Sequence, residues 1–378
     1  MIKPKLLVIA SNYPSENNLY GSIFIHTRLK QYTKYFNIQV LCCQTELQNN
    51  ESFIYENINV FNASSKDEFY KFTKSISYDI VIIHFVTWWM HDFIKSFYGS
   101  IFIWIHGIEV ISWIRLLFDF ELQNLFKFIK NILSNIYQMF FMHRLFRYSN
   151  IKNNIHFIFI SNWIYKIAKI DTLSNIKNYS IIPNPIDCYL FNYNNKNPEQ
   201  RKKILLIRSF DSRKYANDIA IKAIKLLIKD RIFSDLEFAI YGKGKYFNKL
   251  TYDLKFYDNI KLYNTFLFHK DIPLIHKNYG VFLCPTRYDT QGVSMCEAMS
   301  SGLVPITSNN SAIPEFVING ISGFYAKSAN NIANLIKTLY NNPDTYSIIS
   351  KNASKSIIEK TNISNIIIKE INLILNIN

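Results

Sequence analysis

Two carboxylates and a glycine-containing loop stand close together between residues 281 and 315, where the sequence reads VFLCPTRYDTQGVSMCEAMSSGLVPITSNNSAIPE. The pattern predicts a strand, a loop, a helix and a second strand. Asp289 falls in the loop and Glu297 in the helix, and both carboxylates can accept hydrogen bonds from sugar hydroxyls. The residues between them bring backbone N–H groups to a helix N-terminus, which favours phosphate. These residues are Gln291, Gly292, Val293 and Ser294. The segment therefore predicts a phosphate cradle beside two acids, with a solvated loop and helix cap as the alternative.

The charge of the chain favours a negatively charged partner. Its 378 residues include 43 lysines and arginines against 28 aspartates and glutamates, a formal net charge of +15. Such a balance suits nucleic acid, anionic lipid or a phosphorylated small molecule, and composition does not choose among them. The five cysteines show no CxxC or Cys/His metal spacing, so we expect reduced thiols in a cytoplasmic protein. The sequence contains no run of about 20 apolar residues, so we expect no transmembrane helix.

Short apolar strands alternate with helical patterns in two series along the chain. The first series runs from Lys5–Ala10 to His156–Ile160, and the second from Ile204–Ile207 to Val304–Thr307. This alternation predicts two α/β domains, each with a doubly wound parallel sheet. The predicted divisions are an N-terminal domain (1–185), an Asn- and Pro-containing linker (186–202), a C-terminal domain (203–360) and a final helix that packs back toward the N-terminal domain (361–378).

Residues 110–148 depart from this alternation. They are helical in period and rich in phenylalanine, and their basic residues outnumber their acidic ones. A basic, aromatic helical hairpin of this kind can lie in a membrane interface or face an anionic lipid acceptor. The alternative is that the aromatic side chains cover the core of the first domain.

The segment from Asp289 to Gly302 resembles the signature of the family 4 retaining glycosyltransferases, which have the GT-B fold of two Rossmann-like domains facing across a cleft. That signature is a glutamate, seven residues and a second glutamate, followed by Ala-Met or similar, small residues and Gly. Glu297 and the AMSSG that follows it match, whereas Asp289 replaces the first glutamate. The resemblance implies that Glu297 binds the ribose of a nucleotide and that Asp289 contacts the donor sugar.

Other motifs of this family follow in the expected order over most of the chain. Gly21 resembles the glycine of the first donor-side loop, and His106 resembles the residue that faces the donor sugar, with Glu109 as a nearby candidate. Gly242 and Gly244 match a glycine turn near the nucleotide. For each of these residues, a purely structural role is the alternative.

The stretch RSFDSRKY at residues 208–215 resembles the family loop in which an arginine and a lysine hold the donor diphosphate. Arginine binds phosphate oxygens in a bidentate manner, and lysine adds a point charge. Arg208 and Lys214 are the predicted pair, and Arg213 is a substitute for the lysine. With His106 and Asp289, this pair completes the predicted catalytic set.

The resemblance implies a retaining hexosyl transfer from a nucleotide-sugar donor to a glycan or lipid-linked acceptor, as in the synthesis of bacterial O-antigen, capsule or lipopolysaccharide. It implies neither cofactor nor metal ion, because protein cations stabilise the leaving diphosphate. The expected partners are the donor, the acceptor and an anionic membrane surface on which the protein is peripheral, without nucleic acid. The alternatives are a nucleotide-sugar epimerase and a non-catalytic basic protein that binds membrane or nucleic acid.

Overall fold

The chain divides into two units in the computed structural model, which describes residues 3–15, 22–120 and 125–376. The first unit comprises Met1–Pro185 together with Ile363–Asn378, and the second comprises Ile186–Asn362. Each unit contains its own sheet of mainly parallel strands with helices in the connections. This is the α/β arrangement that the alternation of strands and helices predicts.

The first unit is built on an eight-stranded sheet. Its strands are β1 (Lys5–Ala10), β2 (Asn37–Cys43), β3 (Glu51–Tyr55), β4 (Ile58–Ala63), β5 (Ile80–His84), β6 (Ser100–Ile105), β7 (Ile155–Phe159) and β8 (Tyr179–Ile181). Their order in the sheet is β3-β4-β2-β1-β5-β6-β7-β8, and only the β3–β4 pair is antiparallel. Strand β5, with the sequence IVIIH, is buried along its whole length, as parallel strands covered on both faces are.

Helices connect these strands and cover the sheet. Those described in the first unit, numbered along the chain, are α1 (Ile23–Tyr32), α2 (Lys66–Ser75), α3 (His91–Ser96), α4 (Leu125–Ser149), α5 (Asn162–Asp171) and α13 (Ile363–Asn376). Within the described residues, no helix has both the length and the apolar character that crossing a membrane requires.

The predicted helical hairpin over residues 110–148 is wrong for the part that the structure describes. A 3-10 helix, Trp113–Asp119, precedes the single long helix α4. The backbone N–H of Trp113 donates to Oδ1 of Asn135, and that of Ser112 donates to Oδ2 of Asp171. These bonds fix the start of the segment against α4 and α5, and the segment is a 3-10 helix of seven residues instead of the first arm of an α-hairpin.

Helix α13 is joined to α1 by a buried ion pair. Nε of Arg28 lies 3.0 Å from each carboxylate oxygen of Glu370, and both side chains are fully buried. The Tyr32 hydroxyl also donates to Glu370, at 2.7 Å. Burial raises the pKa of Glu370, while the charge of Arg28 and the hydrogen bonds from Tyr32 and Arg28 oppose the rise. The last helix is thereby fixed to the first helix of the same unit.

The second unit has six parallel strands in the order β11-β10-β9-β12-β13-β14. These strands are β9 (Lys203–Ile207), β10 (Glu237–Tyr241), β11 (Ile260–Tyr263), β12 (Val281–Cys284), β13 (Val304–Thr307) and β14 (Phe324–Tyr325). The helices are α6 (Asn217–Leu227), α7 (Phe247–Thr251), α8 (Ile272–His276), α9 (Val293–Ser300), α10 (Ile313–Phe316), α11 (Ala329–Asn341) and α12 (Pro343–Thr361).

The predicted linker over residues 186–202 is instead a packed part of the second unit. The N–H of Ile186 donates to the carbonyl of Thr361 at 2.8 Å. A 3-10 helix, Pro198–Lys202, begins at a capping box formed by Asn197 and Gln200. Its Arg201 donates to the carbonyl of Tyr340. The Asn and Pro residues that suggested a linker therefore serve as caps and turns.

Replacing Arg28 by Met should destabilise the first unit by about 3–5 kcal/mol, because it leaves the Glu370 carboxylate buried without its cation. The double variant Arg28→Met/Glu370→Gln should recover most of this loss, since the new amide side chain is uncharged and its oxygen still accepts from Tyr32. All five tryptophans lie in the first unit, so denaturant unfolding followed by tryptophan fluorescence reports on that unit. A double variant as unstable as the single one would contradict a charge-based effect.

Candidate functional site

The order of strands in the second unit marks a site at the carboxyl ends of β9 and β12. From β9 the chain adds strands toward β11 on one side, and from β12 it adds strands toward β14 on the other. Ligands of open α/β sheets bind at such a switch point. Arg208 follows β9 directly, and the loop that carries Asp289 follows β12. The two sequence segments with the richest chemistry therefore meet at one sheet edge.

The Asp289 carboxylate holds this edge together. Its Oδ1 accepts hydrogen bonds from the backbone N–H groups of Gln291 at 3.3 Å and Gly292 at 2.8 Å. Its Oδ2 lies 3.8 Å from Nη1 of Arg208. Gly292 has a φ of 79°, a left-handed conformation that favours glycine. Asp289 thus positions the loop before α9, and its predicted contact with a donor sugar stays a prediction.

Arg208 is a buried cation whose hydrogen-bonding capacity is incompletely used. Its side chain is only 5% exposed, and in the described structure Nε and Nη2 have no hydrogen-bond partner. The Cys284 thiol, a weak acceptor, lies beside it, and the guanidinium is 5.3 Å from the centre of the Tyr215 ring. Unpartnered N–H groups on a buried charge are costly, so the site is suited to an anion that supplies oxygen acceptors.

Lys214 brings a second positive charge to the same loop pair. Burial lowers the pKa of its ammonium group, but Asp289, Tyr288 and Tyr215 outweigh burial and the net effect is a raised pKa. Nζ lies 4.6 Å from the centre of the Tyr288 ring. Lys214 therefore remains charged, as binding a diphosphate requires. Arg213, the substitute, instead places its guanidinium 5.8 Å from the Tyr246 ring.

The predicted N–H cradle at residues 291–294 is partly engaged within the protein. The amides of Gln291 and Gly292 already donate to Asp289. Helix α9 makes its first intrahelical bond from the Cys296 N–H to the Gly292 carbonyl, at 3.0 Å. The geometry of a helix start leaves the next amides, those of Val293 and Ser294, without an intrahelical acceptor. The part of the cradle suited to phosphate is therefore the beginning of α9.

Gly242 and Gly244 allow the loop after β10 to pack against the loop of Arg208. A Cβ on Gly242 would collide with the Arg208 carbonyl oxygen, and one on Gly244 would collide with the Asp211 nitrogen. The Arg208 N–H donates to the carbonyl of Tyr241 at 3.1 Å. These glycines position Arg208, and their contact with a nucleotide stays a prediction.

Glu297 is paired with His269, a contact that the sequence did not predict. Nε2 of His269 lies 2.7 Å from Oε1 of Glu297, and the imidazole packs edge-on to Phe191. Burial lowers the pKa of His269. The hydrogen bond and the charge interaction with Glu297 raise this pKa by more than burial lowers it, so the net shift is upward. The pair fixes the orientation of the carboxylate that the resemblance assigns to ribose binding. The partners are 28 positions apart in the chain, a separation that leaves no sequence signal for this contact.

In the first unit, His106 follows β6 and stacks on another histidine. Its Nε2 lies 2.9 Å from Nδ1 of His84, and burial followed by the charge of Arg28 lowers the pKa of His106 to about 3. Burial likewise lowers the pKa of His84, so the histidine pair is neutral. The predicted contact of His106 with a donor sugar would be that of an uncharged imidazole.

The nearby candidate Glu109 anchors a turn. Its carboxylate accepts hydrogen bonds from the backbone N–H groups of His106 and Gly107. Burial raises the pKa of Glu109 to about 7, against the opposing effect of these bonds. Gly21, the remaining predicted residue, lies outside the described residues.

The first unit also has a large pocket at its own switch point, between β1 and β5. Its volume is about 780 Å³, and its lining includes Ser11 after β1 and Phe85 after β5. Glu109 and Gln138 contribute polar groups. Aromatic residues form much of the remaining wall, namely Trp88, Trp89, Trp113 and Phe128.

Comparison with known proteins shows what each part of the chain resembles. Residues 192–356, most of the second unit, match the family model of glycosyl transferases group 1. Sucrose-phosphate synthase from Thermosynechococcus elongatus superposes with a TM-score of 0.76 at 12% identity, covering 98% of both chains. Anabaena HepE, solved with UDP and glucose, superposes with a TM-score of 0.69 at 14% identity, covering 99% of this chain and all of that chain. These superpositions confirm the predicted GT-B fold, and the family match confirms a resemblance of the second unit to glycosyl transferases group 1.

Curated relatives match shorter regions. An Escherichia coli UDP-Gal:α-D-GlcNAc-diphosphoundecaprenol α-1,3-galactosyltransferase is 32% identical over 145 residues, which are 38% of this chain and 37% of that protein. Sucrose synthase 5 of Arabidopsis thaliana is 30% identical over 86 residues, 21% of this chain and 10% of that protein. The chain thus matches little more than a third of the length of the first relative and a tenth of the second.

Replacing Glu297 by Gln should lower the pKa of His269 to below its ordinary value of about 6.5, because burial then acts with less opposition. The wild-type pKa should lie above that value. In the wild type, the stabilisation from the pair is therefore full below about pH 6.5, while Glu297 is ionised, and is lost as pH rises through the folded-state pKa of His269. Histidine ring NMR measures both values, with the His269→Asn variant assigning the resonance. Equal pKa values in the two proteins would contradict the pairing.

Proposed function

We propose that the chain transfers a sugar from a nucleotide-sugar donor, a UDP-sugar first among them, with retention of configuration at the anomeric carbon. The observation that carries the proposal is Arg208, a buried guanidinium with two nitrogens that lack partners, beside Asp289 and Lys214. A donor diphosphate supplies the acceptor oxygens and negative charge that this cluster lacks. The UDP in the names of the Escherichia coli relative and of the HepE complex supports the choice of base.

The chemistry assigned to the site is stabilisation of a leaving group. The bond between the anomeric carbon and the diphosphate oxygen breaks, and negative charge grows on the diphosphate. Arg208, Lys214 and the first amides of α9 stabilise that charge, which preorganised donors do most effectively in a water-poor site. The anomeric carbon bonds to the acceptor oxygen, and the acceptor hydroxyl gives its proton to the departing phosphate. Two protein cations take the role that a divalent metal ion has in other transferases, so the proposed reaction is metal-independent.

The acceptor proposed is a glycan or lipid-linked sugar in the synthesis of a bacterial surface polysaccharide. The name of the Escherichia coli relative includes a diphosphoundecaprenol acceptor, which supports the lipid-linked choice. The pocket at the first unit's switch point combines aromatic walls with polar side chains such as Glu109, Asn135 and Gln138, which suits a sugar ring with an apolar extension.

Binding of a nucleoside diphosphate should raise the temperature of thermal unfolding, because the ligand binds only the folded state. We expect the shift with UDP and little or none with GDP, ADP or CDP. In Arg208→Gln, the affinity should fall by roughly ten- to a hundredfold, as expected for the loss of charge-assisted hydrogen bonds. Calorimetric titration measures the affinity directly.

The matched control for this measurement is Lys222→Gln, which removes an exposed positive charge from α6. It should bind UDP as the wild type does. Unliganded unfolding curves show whether either variant is damaged in folding. Failure of all four nucleotides to bind well-folded wild-type protein would overturn the donor site.

Replacing Lys214 by Gln should lower kcat by about a hundredfold, because its charge matters most when the diphosphate leaves. Without an identified acceptor, the reaction that can be measured is the slow hydrolysis of UDP-glucose or UDP-galactose, which releases UDP.

In this hydrolysis, NMR of the released sugar should first show the anomer of the donor, and EDTA should leave the rate unchanged. An inverted product or a loss of activity in EDTA would contradict the retaining, metal-independent mechanism. Conversion of the donor to another UDP-sugar would favour the epimerase alternative.

A further inference from the structure

The first four turns of α4 expose an apolar stripe that no described part of the chain covers. The exposed side chains recur every three or four residues, so they lie on one face of the helix. They are Leu125, Phe126, Ile129, Leu133, Ile136, Tyr137 and Phe140. Phe126 is 89% exposed and Leu133 is 63% exposed, values far from those of core residues. A contiguous apolar face of this kind marks an interaction surface.

The other side of α4 is firmly attached to the first unit. Nε2 of Gln138 donates to the carbonyl of Val86, and Nδ2 of Asn135 donates to the carbonyl of Ile111. Further along the helix, Met142 and Phe146 are fully buried. The stripe is therefore held on a fixed helix and needs no folding transition to become available.

The charges of α4 are all of one sign. Its sequence, LFKFIKNILSNIYQMFFMHRLFRYS, contains no acidic residue. The basic residues are Lys127, Lys130, Arg144 and Arg147. Lys130, Arg144 and Arg147 are exposed. An apolar stripe bordered by cations is the pattern of helices that lie in the interface of an anionic bilayer.

A small basic pocket adjoins the end of the stripe. It has a volume of about 120 Å³ and lies between α3 and α4, where His91, Lys95, Arg144 and Tyr148 are among its lining residues. The Arg144 guanidinium is 5.8 Å from the ring of Phe140, the last residue of the stripe. Within the described residues, neither Lys95 nor Arg144 has a carboxylate within 4 Å, and Asp92 is paired with His91 at 3.1 Å.

We propose that α4 lies in the headgroup region of an anionic phospholipid bilayer, with its stripe toward the acyl chains and a lipid phosphate in the pocket of His91, Lys95 and Arg144. The size of the pocket suits a single phosphate group, and its cations provide the donors that phosphate accepts. The bilayer covers the apolar side chains, and its negative surface attracts the cations at their border. This inference concerns membrane docking alone and does not depend on the donor chemistry.

A second copy of the chain is a poorer occupant of the same face. A two-fold contact through the stripe would bring the exposed cations of one α4 close to those of the other. With no acidic residue on the helix, nothing on this element would offset the repulsion. An anionic surface removes that conflict.

The test is binding to vesicles measured by sedimentation at low and high salt. Wild-type protein should bind vesicles of phosphatidylcholine mixed with phosphatidylglycerol, bind weakly to phosphatidylcholine alone, and lose affinity at high salt. Leu133→Gln should weaken binding by roughly tenfold or more, because the variant lacks a leucine that is buried in the bilayer when the protein binds. Lys95→Gln and Arg144→Gln should each weaken it by about fivefold.

Two matched variants serve as controls. Ile54→Gln replaces an apolar residue that is 70% exposed on β3, and Lys222→Gln removes an exposed cation in the second unit. Both should bind vesicles as the wild type does, and all variants should keep the wild-type UDP affinity. Equal binding to both kinds of vesicle, or a Leu133→Gln variant that binds normally, would overturn the proposal. So would a wild-type dimer in sedimentation velocity that Leu133→Gln converts to monomer, because the occupant would then be a second copy.

Discussion

The contact between Asp289 and Arg208 is the interaction on which the candidate site of the second unit depends. One carboxylate faces the guanidinium after β9 and, through its other oxygen, holds the amides of Gln291 and Gly292 before α9. The same carboxylate helps to keep Lys214 charged. Two cations and one anion therefore share a partly buried edge of the sheet. In the proposed reaction, the excess positive charge makes this edge receptive to the donor diphosphate, and the Asp289 carboxylate holds the two loops in place before the donor binds.

This arrangement separates positioning from binding. Asp289, Gly242 and Gly244 determine where the Arg208 loop lies, since a side chain at either glycine would collide with that loop. Arg208 retains unpartnered nitrogens even though the loops around it are well bonded. Such a buried cation is costly in the free protein, and binding of an anion relieves the cost. In the proposed reaction, the donor diphosphate is therefore part of the electrostatic balance of the fold at this site.

The sequence predicted five of the six strands of the second unit and helix α9 well, because short β-branched runs between turn residues have few other interpretations. It missed the two-residue strand β14. It missed the β3–β4 hairpin, whose turn uses Glu56 and Asn57 at φ values of 43° and 65° and contains no glycine. It also missed the His269–Glu297 pair, since tertiary folding alone joins residues so far apart. The linker was misassigned because Asn and Pro are common both in flexible connections and at helix caps.

In both units, polar or aromatic side chains gather at the topological switch point of the sheet, but the two switch points differ in chemistry. In the second, the switch point is lined by Arg208 and Lys214. In the first, the switch point opens into an aromatic pocket near a neutral histidine pair. In the proposed reaction, the charged donor suits the cationic site, and an acceptor with apolar surface suits the aromatic one. If α4 docks on a bilayer, the unit that carries this aromatic pocket is also the unit held at the membrane, where a lipid-linked acceptor is found. The same helix lines the pocket with Phe128 and Gln138 and exposes the stripe on a neighbouring face, so one element serves both the acceptor and the membrane.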